Sequence, residues 1–342
     1  MTSVSHQSLA TKICPWLLEP LEQLERARSE GRFAHGWLLA GPEGIGKINL
    51  ALVAAHRLLH PQAARPQPLG PAEGARAMAV RHEPSDHHPD LHWIFPEADR
   101  RTVSVDQIRE TTGSLTLTSM EGPKVVILEP ADAMTTAAAN ALLKTLEEPT
   151  ARTYLLLLTH QPGRLPATIR SRCQYLPVPR PGMGEALGWL RRSETEATES
   201  EWSQLLALAE GAPFRAMAFQ DNNYTCKNKE FERQFELISN SRLDPQTVAD
   251  QWLKDDLELA LSWLAAHLRW VIRARMAPEA SNPITDLKLD RLHNAWQVPT
   301  LRTLFQRLER TEALLRQLGG GINADLATRA LLLGFQDQRG RL

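Results

Sequence analysis

The sequence predicts a parallel α/β domain followed by helices over the rest of the chain. Three observations carry this reading. From Trp37 to Pro177, short apolar runs alternate with helical patterns, the rhythm of strands joined by crossover helices. Two of those runs, Val125–Leu128 and Tyr154–Leu158, are apolar at every position, as central strands covered on both faces must be. After Pro177-Val178-Pro179-Arg180-Pro181 the strand signals stop.

In order, the expected strands are Trp37–Ala40, Leu91–Ile94, Val125–Leu128, Tyr154–Leu158 and Gln174–Leu176. A helix over Asn49–Leu59 follows the first. Ser104 and Gln107 have the spacing of a capping box, in which each side chain satisfies a free amide at a helix start. Thr135-Thr136 precede a helix over Ala137–Glu147, which Pro149 ends and whose Leu142, Leu143 and Leu146 face the sheet. Residues from about 61 to 90 are rich in Pro, Gly, Ala and His without a period, and read as a surface insertion. Thr198 and Glu201 repeat the capping-box pattern, and Trp202, Leu205, Leu206 and Ala209 share one helix face up to Gly211. Asp244-Pro245 is an N-cap with proline at the first helical position. Leu257, Leu261, Leu264, Leu268 and Val271 form a helical seam flanked by Trp263 and Trp270. Leu301, Leu304, Phe305 and Leu308 mark another helix, and Asn323, after Gly319–Gly321, caps a last one through Leu333. The expected domains are 1–180 (α/β), 181–222 (small helical) and 223–342 (all-α).

Composition bounds the function. The 342 residues are 42% apolar and 23% charged, an ordinary globular balance. Lys+Arg 39 against Asp+Glu 40 leaves a formal charge of −1, which argues against strong unaided nucleic-acid binding. Cys14, Cys173 and Cys226 lie far apart and make neither a disulfide framework nor a paired metal-ligand spacing, as in a reducing cytoplasm. No apolar run approaches membrane-spanning length, and Met1–Lys12 is polar, so neither a membrane span nor a signal peptide is expected.

Gly41-Pro42-Glu43-Gly44-Ile45-Gly46-Lys47-Ile48 matches G-x-x-x-x-G-K between a strand and a helix, but not the final Ser/Thr. In such a loop Gly41, Gly44 and Gly46 let backbone amides close around phosphate oxygens, and Lys47 neutralises the outer phosphates. Ile48 stands where a hydroxyl would ligate magnesium and offers no oxygen. The companion strand normally ends in Asp-Glu; here it ends in Glu129-Pro130. Glu129 keeps a carboxylate, but Pro130 cannot activate a water, a loss of about 10²–10⁴-fold in rate. Intrinsic ATP hydrolysis is therefore not expected, while the sequence leaves open whether ATP or ADP occupies the loop.

Asn140-Ala141-Leu142-Leu143-Lys144-Thr145-Leu146-Glu147-Glu148-Pro149 puts two glutamates in a last helical turn, where the helix dipole disfavours them and a cationic partner would explain them. With Ser171-Arg172-Cys173, the eroded phosphate loop, His88-Pro89-Asp90 and Gly321-Ile322-Asn323-Ala324-Asp325-Leu326, this resembles the clamp-loader branch of the AAA+ proteins over nearly the whole chain. The eroded loop and eroded Asp-Glu are similar to its non-hydrolysing members.

The resemblance implies a P-loop AAA+ domain, a lid over 181–222 and an oligomerising collar over 223–342. It implies a structural subunit of the replicative DNA polymerase III clamp loader, itself part of a DNA-directed DNA polymerase (nucleotidyltransferase) holoenzyme. The implied partners are the tau/gamma and delta subunits directly, and the sliding clamp and primer-template DNA through the complex. Arg172 would act as an arginine finger in the ATP site of the neighbouring subunit, and Thr159 stands where such ATPases carry a polar sensor. Arg170 reads as a surface residue, Cys173 as a small buried one, and Arg215 is not assigned to phosphate. Relatives carry a cysteine zinc module in the insertion. Here His82, Asp86, His87, His88, Asp90 and His92 fit no tetrahedral spacing, so no zinc, no other metal and no required cofactor are expected. The alternative is an active ATP-hydrolysing subunit resembling tau/gamma, against which Ile48 and Pro130 stand.

Overall fold

The computed structural model describes residues 10–71, 88–97, 100–117, 122–193, 197–221, 224–239, 242–255, 257–276, 300–318 and 323–335. The chain packs as two compact units, Met1–Glu196 with Gly211–Met217, and Ala197–Glu210 with Ala218–Leu342. The segment 181–222 is divided between them.

The first unit is built on five parallel strands: β2 (Gly36–Ala40), β4 (Leu91–Ile94), β5 (Lys124–Leu128), β6 (Thr153–Thr159) and β7 (Gln174–Pro177). Their order is β4-β5-β6-β2-β7. All five expected strands are present, within a residue or so at each end. Every residue of β2 and β5 is buried, and apart from Lys124 at the start of β5, whose ammonium donates to the Leu115 carbonyl, these strands carry no polar side chain because neither face meets water. Leu38, Val126, Leu128, Leu155 and Leu157 point to one face, packed with Ile108 and Leu115 of α3 (Val105–Leu117) and with Ala138, Leu142 and Leu146 of α4 (Thr136–Glu147). Leu143 is only half-buried there. On the other face α2 (Lys47–Leu59) packs against β5 and β6.

The expected caps form. Ser104 N–H donates to Gln107 Oε1 at 2.9 Å and Gln107 N–H to Ser104 Oγ at 3.3 Å. Ala138 N–H donates to Thr135 Oγ1 at 3.1 Å. The start of the insertion is more ordered than its composition suggests. β3 (Gln67–Pro68) pairs in parallel with β1 (Lys12–Ile13), Leu69 beside it is buried, and Trp189 Nε1–H donates to the Leu69 carbonyl at 2.7 Å. A two-residue strand carries no period to read. His82, Asp86 and His87 lie outside the described residues.

The second unit is helical. Glu201 N–H donates to Thr198 Oγ1 while the Glu201 carboxylate accepts the Thr198 N–H at 2.7 Å, opening α7 (Glu199–Leu208). The helix stops at Glu210 and Gly211, both with positive φ. Asp244 caps α10 (Pro245–Asp255) by accepting the Gln246 N–H at 3.0 Å, and Asn323 caps α13 (Ala324–Leu333) through Leu326 N–H at 3.1 Å. In α11 (Leu257–Met276), Leu261, Leu264, Leu268, Val271 and also Trp263 are buried. Trp263 belongs to the core, closing an aromatic cluster with Phe231, Phe235 and Trp252. In α12 (Leu301–Gln317) the buried face is Leu304, Thr311 and Leu314; Leu301 and Phe305 are 38% and 47% exposed. Positions 304, 311 and 314 share an arc of the helix, and 305 lies one step round from it. Gly319–Gly321 fall outside the described residues. Among the described residues no helix is long and apolar enough to cross a membrane.

Candidate functional site

Two places in the α/β unit bring the singled-out residues together. The first lies at the C-terminal edge of the sheet, beyond Ala40, Leu128 and Thr159. The loop from Gly41 to Gly46 leaves β2, and Gly46 caps α2 with φ +90°. Glycine is required there twice over: φ is left-handed, and a Cβ would lie 2.7 Å from the Phe214 ring. Gly44, at φ +76°, has its Cβ position 2.8 Å from Arg215 Cβ.

Lys47 is 3% exposed. Its ammonium donates to the carbonyls of Gly41 (2.7 Å) and Pro42 (2.6 Å) and to His160 Nδ1 (2.8 Å). The backbone at His160 is held in turn by Asp132, whose Oδ1 accepts the His160 backbone N–H at 2.9 Å and the Thr159 hydroxyl at 2.7 Å. Thr159 is fully buried and held by that carboxylate. Asp132 sits in the short turn Ala131–Ala133 after the cis Glu129–Pro130 bond, and Glu129 is buried. Asp132 and His160 were not assigned a role from the sequence; their signal was position alone, each just past a strand end.

The loop is also covered. Phe214 N–H donates to the Gly44 carbonyl at 3.0 Å, and Trp16 Nε1–H donates to the Ile45 carbonyl at 2.8 Å. Trp16 packs edge to face with Trp189 and Phe214, which meet each other at a tilt, with centroids 5.1–6.4 Å apart. Ile48 is buried and brings no oxygen. This set of groups does not fit a magnesium-bound triphosphate. The hydroxyl ligand is absent, and the lysine is engaged by acceptors within the protein.

The second place is at the opposite, N-terminal edge of the sheet. Arg172 precedes β7 and follows α5 (Ala167–Arg170). Its Nη2 lies 2.7 Å from Glu147 Oε1, and its Nη1 donates to the Thr168 carbonyl at 3.0 Å and to Ser171 Oγ at 3.4 Å. Glu147 is the last residue of α4, so one of its two unexplained glutamates has a cationic partner. Arg170 is exposed. Burial pushes the Cys173 thiol up to about 11, so it stays protonated and unreactive at neutral pH. Among the described residues no group of three His, Cys, Asp or Glu could hold a metal ion.

The family described as "DNA polymerase III, delta subunit" matches residues 18–181. DNA polymerase III subunit delta' of Pseudomonas aeruginosa is 34% identical over 265 residues, covering 77% of this chain and 78% of that protein. The Escherichia coli protein of the same name is 36% identical over 215 residues, covering 62% and 63%. A gamma subunit-related DNA polymerase III protein from Thermotoga maritima has a solved structure matching 92% of this chain and 98% of its own at 19% identity and a TM-score of 0.45. On the strength of the sequence matches, the chain belongs to the DNA polymerase III delta-prime subunit family, and it joins a parallel α/β unit to a helical C-terminal region.

Proposed function

We propose that the chain serves the clamp loader as a subunit that does not hydrolyse ATP and that lends Arg172 to the ATP site of a neighbouring subunit. The observation that carries this is the separation of the two places. Lys47 and Thr159 lie at the C-terminal edge of a parallel sheet and Arg172 at its N-terminal edge, so Arg172 cannot serve the loop of its own chain. A guanidinium there can offset charge on a phosphoryl group in transfer, provided a second subunit brings the nucleotide. In this reading the tau/gamma and delta subunits are direct partners. The sliding clamp and primer-template DNA are reached through the complex, in the cytoplasm. Segment 181–222 corresponds to the lid and 223–342 to the collar. No nucleotide and no zinc is needed for the role; stoichiometric zinc in the purified chain would contradict that part.

The test is reconstitution with the ATPase subunits and DNA. Arg172→Ala should leave the isolated chain folded and lower turnover of the complex at one site, by about 10³-fold or more at that site. Lys47→Ala should leave turnover of the complex unchanged. Turnover lost with Lys47→Ala but kept with Arg172→Ala would favour a tau/gamma-like motor subunit instead.

A further inference from the structure

We infer that Glu147 is a positioning residue for Arg172, an inference that rests on the reading of Arg172 as the arginine lent to a neighbouring ATP site. The carboxylate stands at the C-terminal end of α4, where the helix dipole opposes a negative charge. Local helix chemistry gives no reason for it; the guanidinium 2.7 Å away does. The end of α4 that carries Glu147 is itself pinned. Leu146 is buried, the Leu146 carbonyl accepts from His35 Nε2 at 2.8 Å, and Glu148 N–H donates to Lys144 O at 2.9 Å.

Arg172 is therefore gripped from two sides. Thr168 and Ser171 hold Nη1, and Glu147 holds Nη2. These contacts engage three of the five N–H donors of a guanidinium, leaving the remainder to meet an anion on another chain. A long side chain loses rotamer freedom when it is recruited to a transition state, and holding it beforehand lessens that loss. The pair is substantially exposed, with side-chain exposures of 36% and 49%. Its energy is therefore small, and the fold does not depend on it. Exposed pairs of this kind correspond to an effect of about two- to fivefold on a rate.

The experiment compares ATP turnover of the reconstituted complex carrying wild type, Glu147→Ala, Glu147→Gln, Arg172→Ala and the Glu147→Ala/Arg172→Ala double variant. Thermal melting of each isolated chain serves as the fold control. Glu147→Ala should lower kcat about two- to fivefold without changing KM for ATP. Glu147→Gln, whose amide oxygen still accepts from Nη2, should fall between it and wild type. In the Arg172→Ala background, Glu147→Ala should add nothing. Unchanged turnover, raised turnover, or losses that multiply in the double variant would each overturn the inference while leaving Arg172 in place. Unchanged turnover with Arg172→Ala would remove both the underlying reading and this inference.

Discussion

At the scale of single residues, glycine positions separate packing from propensity. Gly46 has φ +90° and the Phe214 ring against it. Gly46→Ala should destabilise the chain by about 2–4 kcal/mol, the left-handed strain and the overpacking acting together. Gly188 is a helical glycine in α6 (Met183–Leu190) with open space at its Cβ position. There Gly188→Ala should stabilise by about 0.5–1 kcal/mol. Denaturant midpoints of the two variants should move in opposite directions; a shared direction would mean that the loop is not packed as described. Both glycines are plain in the sequence, but only the first is demanded by its surroundings. Lys47 makes the same point. Its spacing announces a phosphate ligand, yet it bonds Gly41, Pro42 and His160, the last of them 113 residues away.

At the scale of elements, helix starts were legible because a cap is a local device. Thr198→Ala removes the acceptor for Glu201 N–H, and should cost about 1 kcal/mol, read as a lower melting temperature. Helix interiors hold what spacing does not reveal. His267 lies in the middle of α11, 1% exposed, with Nδ1–H donating to the Trp263 carbonyl at 2.8 Å. Burial pushes it down to about 4, against 6.5 for an unburied histidine. The folded chain therefore gives up a proton that the unfolded chain keeps. Its contribution is complete above about pH 6.5 and is lost as pH falls toward 4, at up to about 1.4 kcal/mol per pH unit. His267→Gln should flatten that part of the stability–pH curve. Urea unfolding at neutral and mildly acidic pH checks this, and parallel curves for the two proteins would exclude His267 as the source. The α12 face was harder to read, because Leu301, Leu304, Phe305 and Leu308 are all apolar and only packing chooses Leu304 with Thr311 and Leu314.

At the scale of the whole molecule, the sheet order gives the functional reading its geometry. Parallel strands send every strand-to-helix loop to one edge and every helix-to-strand segment to the other. The loop at Lys47 and the arginine before β7 are thus kept apart by the length of the sheet. The paired reconstitution of Lys47→Ala with Arg172→Ala belongs to this scale. It asks whether the chain works through its own loop or through the opposite edge.

The sequence by itself determined the five strands of the main sheet, most helix caps, the eroded loop and the family, because each is written in neighbouring residues through apolar runs, turn chemistry and short motifs. Only the tertiary structure decided what those residues touch. It placed Phe214 and Trp16 over the loop, joined Lys47 to His160 and Thr159 to Asp132, and set Glu147 against Arg172. Such pairings span up to 198 positions (Trp16 with Phe214), and distance along the chain leaves no local pattern from which they can be read.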